Sequence, residues 1–201
     1  MFTFLLIAVN VIVSLIGFSK MTRSTEGNMF FFSPSEVSAG RNYEGMFLSH
    51  FSHGDPGHLI FNMITLYYFG PIVEETLGIF DMLVIYVIAG ICSTVVVYYR
   101  HRAQPQYRAL GASDSISGIL FAAIVLNPGM NIRFMIVPIP IPAPLFAIGY
   151  ILVSTLLMQR ARGNISHEAH LAGAFTGLIL AGLLSPLGYA PLVETIRSYF
   201  A

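Results

Sequence analysis

Six stretches of the chain are almost purely apolar and are separated by polar connections: Phe2 to Phe18, Gly57 to Leu77, Phe80 to Tyr99, Ala112 to Leu126, Pro144 to Met158 and His167 to Leu184. A helix needs about 20 apolar residues to cross hydrocarbon, so the fourth and fifth runs are short and their ends are expected to lie below the membrane surface. Only helices and closed barrels satisfy every backbone group in lipid. The pattern therefore predicts an all-α polytopic membrane protein, a bundle of six transmembrane helices. Composition agrees: 55% of the 201 residues are hydrophobic and 10% are charged, with a mean hydropathy of +0.73. That is more apolar surface than a water-soluble fold can hide. No polar block is long enough for a second domain, so residues 1–201 are read as one transmembrane domain.

The same composition excludes several functions. A formal net charge of zero leaves no basic face for nucleic acid. Cys92 is the single cysteine, which precludes an internal disulfide and a thiolate metal cluster. The first apolar run lacks a basic start and a small-residue cleavage site, so it is expected to be a retained span rather than a signal peptide. Ser19 to Asp55 is too long for a tight turn. Val137 to Pro144 alternates proline with apolar residues, which predicts an extended crossing along the interface. The amphipathic Leu192 to Phe200 is read as a surface helix.

Polar residues inside spans carry the information, because hydrocarbon offers them no partner and they normally face the bundle interior. His58 and Asn62 stand four apart on one face of the second span, with Thr65 extending the stripe. Ser113 and Ser117 share a face of the fourth. His170 leads a face of the sixth that continues through Gly173 and Gly177, a small-xxx-small spacing that admits a close helix. His58, Ser113 and His170 all lie near the starts of even-numbered spans, and such spans begin on the same side of a membrane. The three groups are therefore expected at one depth.

Each residue also has a plainer role. A serine at a helix start is commonly an N-cap, His170 could bond a neighbouring helix, and His58 with Asn62 could clamp two helices together. Glu74 and Glu75 read as a helix-end pair at the interface. His50, His53, Asp55 and His58 cluster closely enough to raise a metal site. His167-Glu168-Ala169-His170 has two residues between its histidines, not the three that place both on one face in a zinc protease.

Taken together, the motifs resemble those of the rhomboid family of intramembrane serine proteases. HGDPGHLIFN at His53 to Asn62 is similar to the family's second-helix motif, GASD at Gly111 to Asp114 to its GxSx nucleophile motif, and AHLAG at Ala169 to Gly173 to its sixth-helix histidine motif. EETLG at Glu74 to Gly78 matches the acidic end of the second helix. The resemblance covers roughly Gly40 to Leu184. It implies that Ser113 is a nucleophile and His170 its general base, a dyad without a third carboxylate. It further implies an oxyanion site made by His58, Asn62 and the Ser113 backbone N–H, with Gly111, Gly173 and Gly177 allowing close packing of the dyad.

Three departures accompany it. Asp114 stands where the family often has glycine, and is expected either to cap the helix start or to perturb the catalytic histidine. Ser117 replaces an aromatic that some members stack on that histidine. The tryptophan-arginine signature of the first loop is absent, since the chain has no Trp.

The implied activity is cleavage of a peptide bond in or beside the spanning segment of another membrane protein, with no metal or organic cofactor, and with transmembrane substrates and the bilayer as partners. An inactive relative that binds or escorts membrane helices is the alternative, and a small transporter a third reading without the internal repeat that would support it. Location in a bacterial inner membrane, with the site opening to the exterior, is implied as well. Loop charge argues the reverse orientation. Lys20, Arg23, Arg41, Arg100, Arg102, Arg108, Arg160 and Arg162 fall on the side of the site, against only Arg133 and Arg197 on the other.

Overall fold

A computed structural model describes residues 1–21, 29–133, 139–160 and 166–201. Six helices of 14 or more residues form the bundle: α1 (Phe2–Met21), α4 (Pro56–Leu77), α5 (Ile79–His101), α6 (Ser113–Leu126), α7 (Ala143–Arg160) and α8 (His167–Leu184). By length and composition α1, α5 and α8 can each cross a membrane, while α6 and the apolar part of α7 are shorter. Two short helices, α2 (Pro34–Ser38) and α3 (Gly45–Leu48), lie in the first connection, and α9 (Ala190–Ser198) follows the bundle. The last is amphipathic and has no buried residue, in keeping with the surface helix expected there.

α6 is the axis of the fold. Every residue from Asp114 to Val125 is buried, and α4, α5 and α8 pack around it. At 1.5 Å per residue its 14 residues span about 21 Å, some 9 Å less than a hydrocarbon core. A helix so enclosed needs no lipid-matching length. Its closest neighbour is α8: a Cβ built on Gly173 would lie 2.0 Å from the Asp114 carbonyl oxygen, and one on Gly177 would lie 1.9 Å from that of Gly118. Only glycine permits this crossing, which seats the start of α8 against the start of α6.

α1 attaches through polar groups as well as apolar ones. Thr3, Asn10 and Ser14 are fully buried along one face, whereas Phe4, Leu5, Ile12, Leu15 and Ile16 are exposed. The Glu74 carboxylate accepts the Phe2 and Thr3 backbone N–H groups at 2.6 and 2.8 Å and the Thr3 hydroxyl at 2.5 Å. Glu74 thus caps α1, satisfying donors that a helix start leaves open. Glu74 and Glu75 both lie in the last turn of α4, at the helix end expected for them, and Glu75 is exposed.

The first connection folds over the site end of the bundle. Phe32 and Ala109 form a bridge of two backbone hydrogen bonds, and Ser52 Oγ donates to the Phe30 carbonyl at 2.7 Å. Arg108 reaches Glu36 at 2.9 Å. Of the proline-rich crossing, Val137 and Pro138 lie outside the described residues. Ile141–Pro142 forms strand β2, paired antiparallel with β1 (Asn131–Ile132), and α7 begins at Ala143.

Candidate active site

The chain enters α6 through Gly111, whose φ of +122° lies in the region that favours glycine. A Cβ there would stand 2.8 Å from His58 Cε1 and 3.4 Å from Ser113 Oγ. The bare backbone therefore lets the His58 ring settle beside the serine. Ala112 occupies the N-cap position without a side-chain bond, and Ser113 is the first helical residue. The plain capping role for Ser113 is thereby excluded, and its hydroxyl faces α8. Ser113 Oγ lies 2.7 Å from His170 Nε2, with both residues half-buried. His58, Asn62, Gly111, Ser113 and His170 line one open cavity, which continues past Phe61, Thr65 and Phe69 of α4 and Phe146 and Tyr150 of α7.

Asn62 is oriented from behind. Its Nδ2 lies 2.9 Å from His53 Nε2, His53 Nδ1 lies 2.8 Å from Ser14 Oγ, and Ser14 donates to the Phe51 carbonyl at 3.1 Å. With the Ser14 proton so used, His53 Nδ1–H donates to Ser14 and Nε2 accepts from Asn62. One Asn62 N–H is engaged and the other remains for the cavity. Burial first, then the neighbouring His58, pushes the His53 pKa down to about 4, with Asp55 opposing. His53 is accordingly a neutral structural relay at neutral pH.

Asp114 stands in the first turn of α6, where its carboxylate was expected to cap the helix start or to act on the histidine. Its carboxylate points away from the dyad, toward the first connection, where His50 Nδ1 lies 3.2 Å from both carboxylate oxygens. Successive helical residues diverge by about 100°, which turns Asp114 from the face Ser113 presents. The carboxylate also accepts the Ser115 N–H at 2.7 Å. His50 Nε2 stands 2.7 Å from Thr94 Oγ1, and the His50 carbonyl accepts from Tyr86 at 3.0 Å. Burial opposes protonation of His50, but the charge and hydrogen bond of Asp114 outweigh it and hold the His50 pKa above its ordinary value.

Ser117 donates to the Ser113 carbonyl at 2.7 Å and lies 2.9 Å from the Tyr150 hydroxyl. An aromatic near Ser113 thus comes from α7 rather than from position 117. At the start of α8, Glu168 pairs with His101, the Tyr107 ring stacks on His101 at 3.7 Å, and the Tyr107 hydroxyl donates to Ser166 at 2.9 Å. Ser166 in turn accepts the His170 N–H at its carbonyl. These contacts fix the turn that carries His170.

The four residues weighed as metal ligands disperse: His50 goes to Asp114, His53 to Asn62 and Ser14, and Asp55 caps α4 by accepting the His58 N–H at 2.9 Å. Among the described residues no three His, Cys, Asp or Glu side chains converge on one point. The roles of His50, His53 and Tyr150 were missed in sequence. Only the presence of His53 in the second-helix motif pointed to any of them.

A helical membrane bundle whose buried central helix opens on a hydrogen-bonded serine and histidine defines the class of this protein. The Rhomboid domain profile matches residues 40–187, and the chain belongs to the rhomboid family. It is 32% identical over 168 residues to RHOMBOID-like protein 12, mitochondrial, of Arabidopsis thaliana, covering 76% of this chain and 49% of that one. It is 32% identical over 140 residues to presenilin-associated rhomboid-like protein, mitochondrial, of Bos taurus (66% and 36%). To Rhomboid-like protein 11, chloroplastic, of Arabidopsis thaliana, it is 25% identical over 157 residues (73% and 54%). The chain thus spans about half or less of the length of these relatives. It is an integral membrane protein. The three relatives are organellar by name, in contrast to the bacterial membrane that the motifs alone implied.

Proposed function

We propose that the chain is an intramembrane serine endopeptidase that cleaves a peptide bond in or near the transmembrane segment of other membrane proteins. The observation that carries this reading is the 2.7 Å contact between Ser113 Oγ and His170 Nε2 at the edge of an open cavity. A serine hydroxyl is too weak an acid to attack an amide unless a base within hydrogen-bond reach takes its proton. Neutral His170 accepts that proton as Oγ bonds to the carbonyl carbon. The oxyanion is met by His58, the second Asn62 N–H and the Ser113 backbone N–H, which has no intrahelical acceptor. One such donor is commonly worth about 3 to 4 kcal/mol. The tetrahedral adduct collapses as His170 returns the proton to the leaving amine, giving an acyl-Ser113 ester and a free amino terminus. Water then attacks the ester with His170 again taking the proton, which releases the carboxylate and restores Ser113.

The substrate reaches this site laterally, along the apolar wall made by Phe61, Phe69 and Phe146. A helix hides its amides in hydrogen bonds, so the cleaved segment must unwind, and small or helix-weakening residues at the cut favour that. The reading invokes no metal or organic cofactor. Purified protein in detergent, incubated with a helical model substrate, should cleave it, and Ser113→Ala and His170→Ala should each abolish cleavage. Cleavage surviving either substitution sinks the dyad, and a wild type that binds the substrate without cutting it points to an escorting role. Reporter fusions in the Arg100 to Arg108 loop test the exterior orientation of the site, and a cytoplasmic reporter would reverse it.

A further inference from the structure

Asp114 places a buried carboxylate one residue from the reacting hydroxyl, and the chemistry proposed above creates a second negative charge at the same end of α6. The open N–H groups and dipole of a helix start favour an anion there. An uncompensated carboxylate would draw on that same field and oppose the oxyanion. His50 is built against the carboxylate. Its Nδ1 lies 3.2 Å from both Asp114 oxygens, Thr94 holds Nε2 at 2.7 Å, and Tyr86 holds its carbonyl at 3.0 Å. The ring occupies a slot opened by Gly90 on α5, where a Cβ would come within 3.1 Å of Nδ1 and 2.8 Å of Ser115 Oγ. Ser93 and Thr94 from α5 and Ser115 from α6 place neutral hydroxyls around the pair, and from α8 His170 also feels the Asp114 charge.

We infer that His50 is a positioning residue that compensates charge: as an imidazolium paired with Asp114 it cancels that carboxylate, so that negative charge can develop at the head of α6. The inference rests on the serine protease reading. At an effective dielectric of about 20, a lone charge about 5 to 8 Å from a developing charge changes a rate by roughly 30- to 300-fold. The pair therefore explains how a carboxylate is accommodated beside the nucleophile.

The test is the rate at which a fluorophosphonate labels Ser113 in the purified full chain, together with the fraction labelled at completion. His50→Gln keeps a donor and removes the charge. It should slow labelling by at least about 10-fold while the final fraction stays near that of wild type. Asp114→Asn and the double substitution His50→Gln/Asp114→Asn should both label within about threefold of wild type. A pair that merely clamps the fold would lower the final fraction or the thermal stability and leave the rate of the remaining active molecules unchanged, which overturns the inference. A double variant as slow as His50→Gln also overturns it. If His50→Gln alone does not fold, the double variant decides by the same threefold and tenfold marks. Labelling of wild type and His50→Gln at equal rates overturns the inference alone, whereas a wild type that does not label overturns the protease reading and the inference with it.

Discussion

The hydroxyl of Tyr150 on α7 lies 2.9 Å from Ser117 Oγ on α6, and Ser117 gives its one proton to the carbonyl of Ser113 at 2.7 Å. Tyr150 must then be the donor to Ser117, so a directed chain of two hydrogen bonds runs from α7 to the backbone of Ser113. Tyr150→Phe should lower kcat about three- to tenfold, leave KM little changed and cost about 1 kcal/mol of stability. The same substitution in a Ser117→Ala background should have no further effect on kcat. Additive losses in that double-mutant cycle would show that the two hydroxyls act separately.

The crossing of α6 and α8 leaves no room for a methyl group at Gly173 or Gly177. Gly173→Ala should destabilise the fold by about 2 to 4 kcal/mol and abolish cleavage, because the helices must part where the dyad is held. Gly149 on α7 has nothing within 4 Å of a built Cβ. Gly149→Ala is the matched control and should leave thermal unfolding in detergent unchanged or slightly raised.

His53 gives the fold a pH dependence of definite sign. Its folded pKa of about 4 lies below the ordinary 6.5, so the unfolded chain takes up the proton first. Stability is complete above about pH 6.5 and is lost as pH falls toward 4, by up to about 3 kcal/mol. His50, with a raised pKa, works in the opposite sense, contributing below pH 6.5 and losing its contribution as pH rises through its folded value. Thermal unfolding between pH 4 and 7 should therefore be flatter in His53→Gln than in wild type. An equal slope in the two proteins would assign the acid sensitivity to other groups.

Glu74→Ala removes three acceptor contacts from the start of α1. It should destabilise the bundle by about 1 to 3 kcal/mol while the rate of Ser113 labelling per folded molecule stays that of wild type. A slower rate would mean that α1 acts on the site as well as on the fold.

Hydrocarbon makes helical spans legible, because each must supply its own apolar length, and the helices begin and end within a few residues of the apolar runs. Ser113, His170, His58 and Asn62 were legible as polar exceptions at one depth. The supporting residues were not. His50 with Asp114, His53 with Ser14, and Ser117 with Tyr150 are joined across 64, 39 and 33 residues, and no local period encodes such pairings. Asp114 was legible as a first-turn acid that takes a helix-start N–H, whereas the 100° step that turns it from Ser113 toward His50 shows only once the helix is drawn. The short α2 and α3 were hidden within a polar connection whose composition favours no single structure.

Thr3, Asn10 and Ser14 together act as a register key for α1. Sliding the helix by one turn would strand three polar groups in hydrocarbon or against apolar neighbours, at several kcal/mol for each one left unpaired. Asn10 contacts Tyr86, which holds the His50 backbone, and Ser14 holds the His53 ring. Two of the three teeth therefore engage the loop histidines behind the site, and the third engages Glu74. Substitutions on the lipid side of α1 are free to drift as long as they stay apolar, while a change at Asn10 or Ser14 reaches a serine about one hundred residues away.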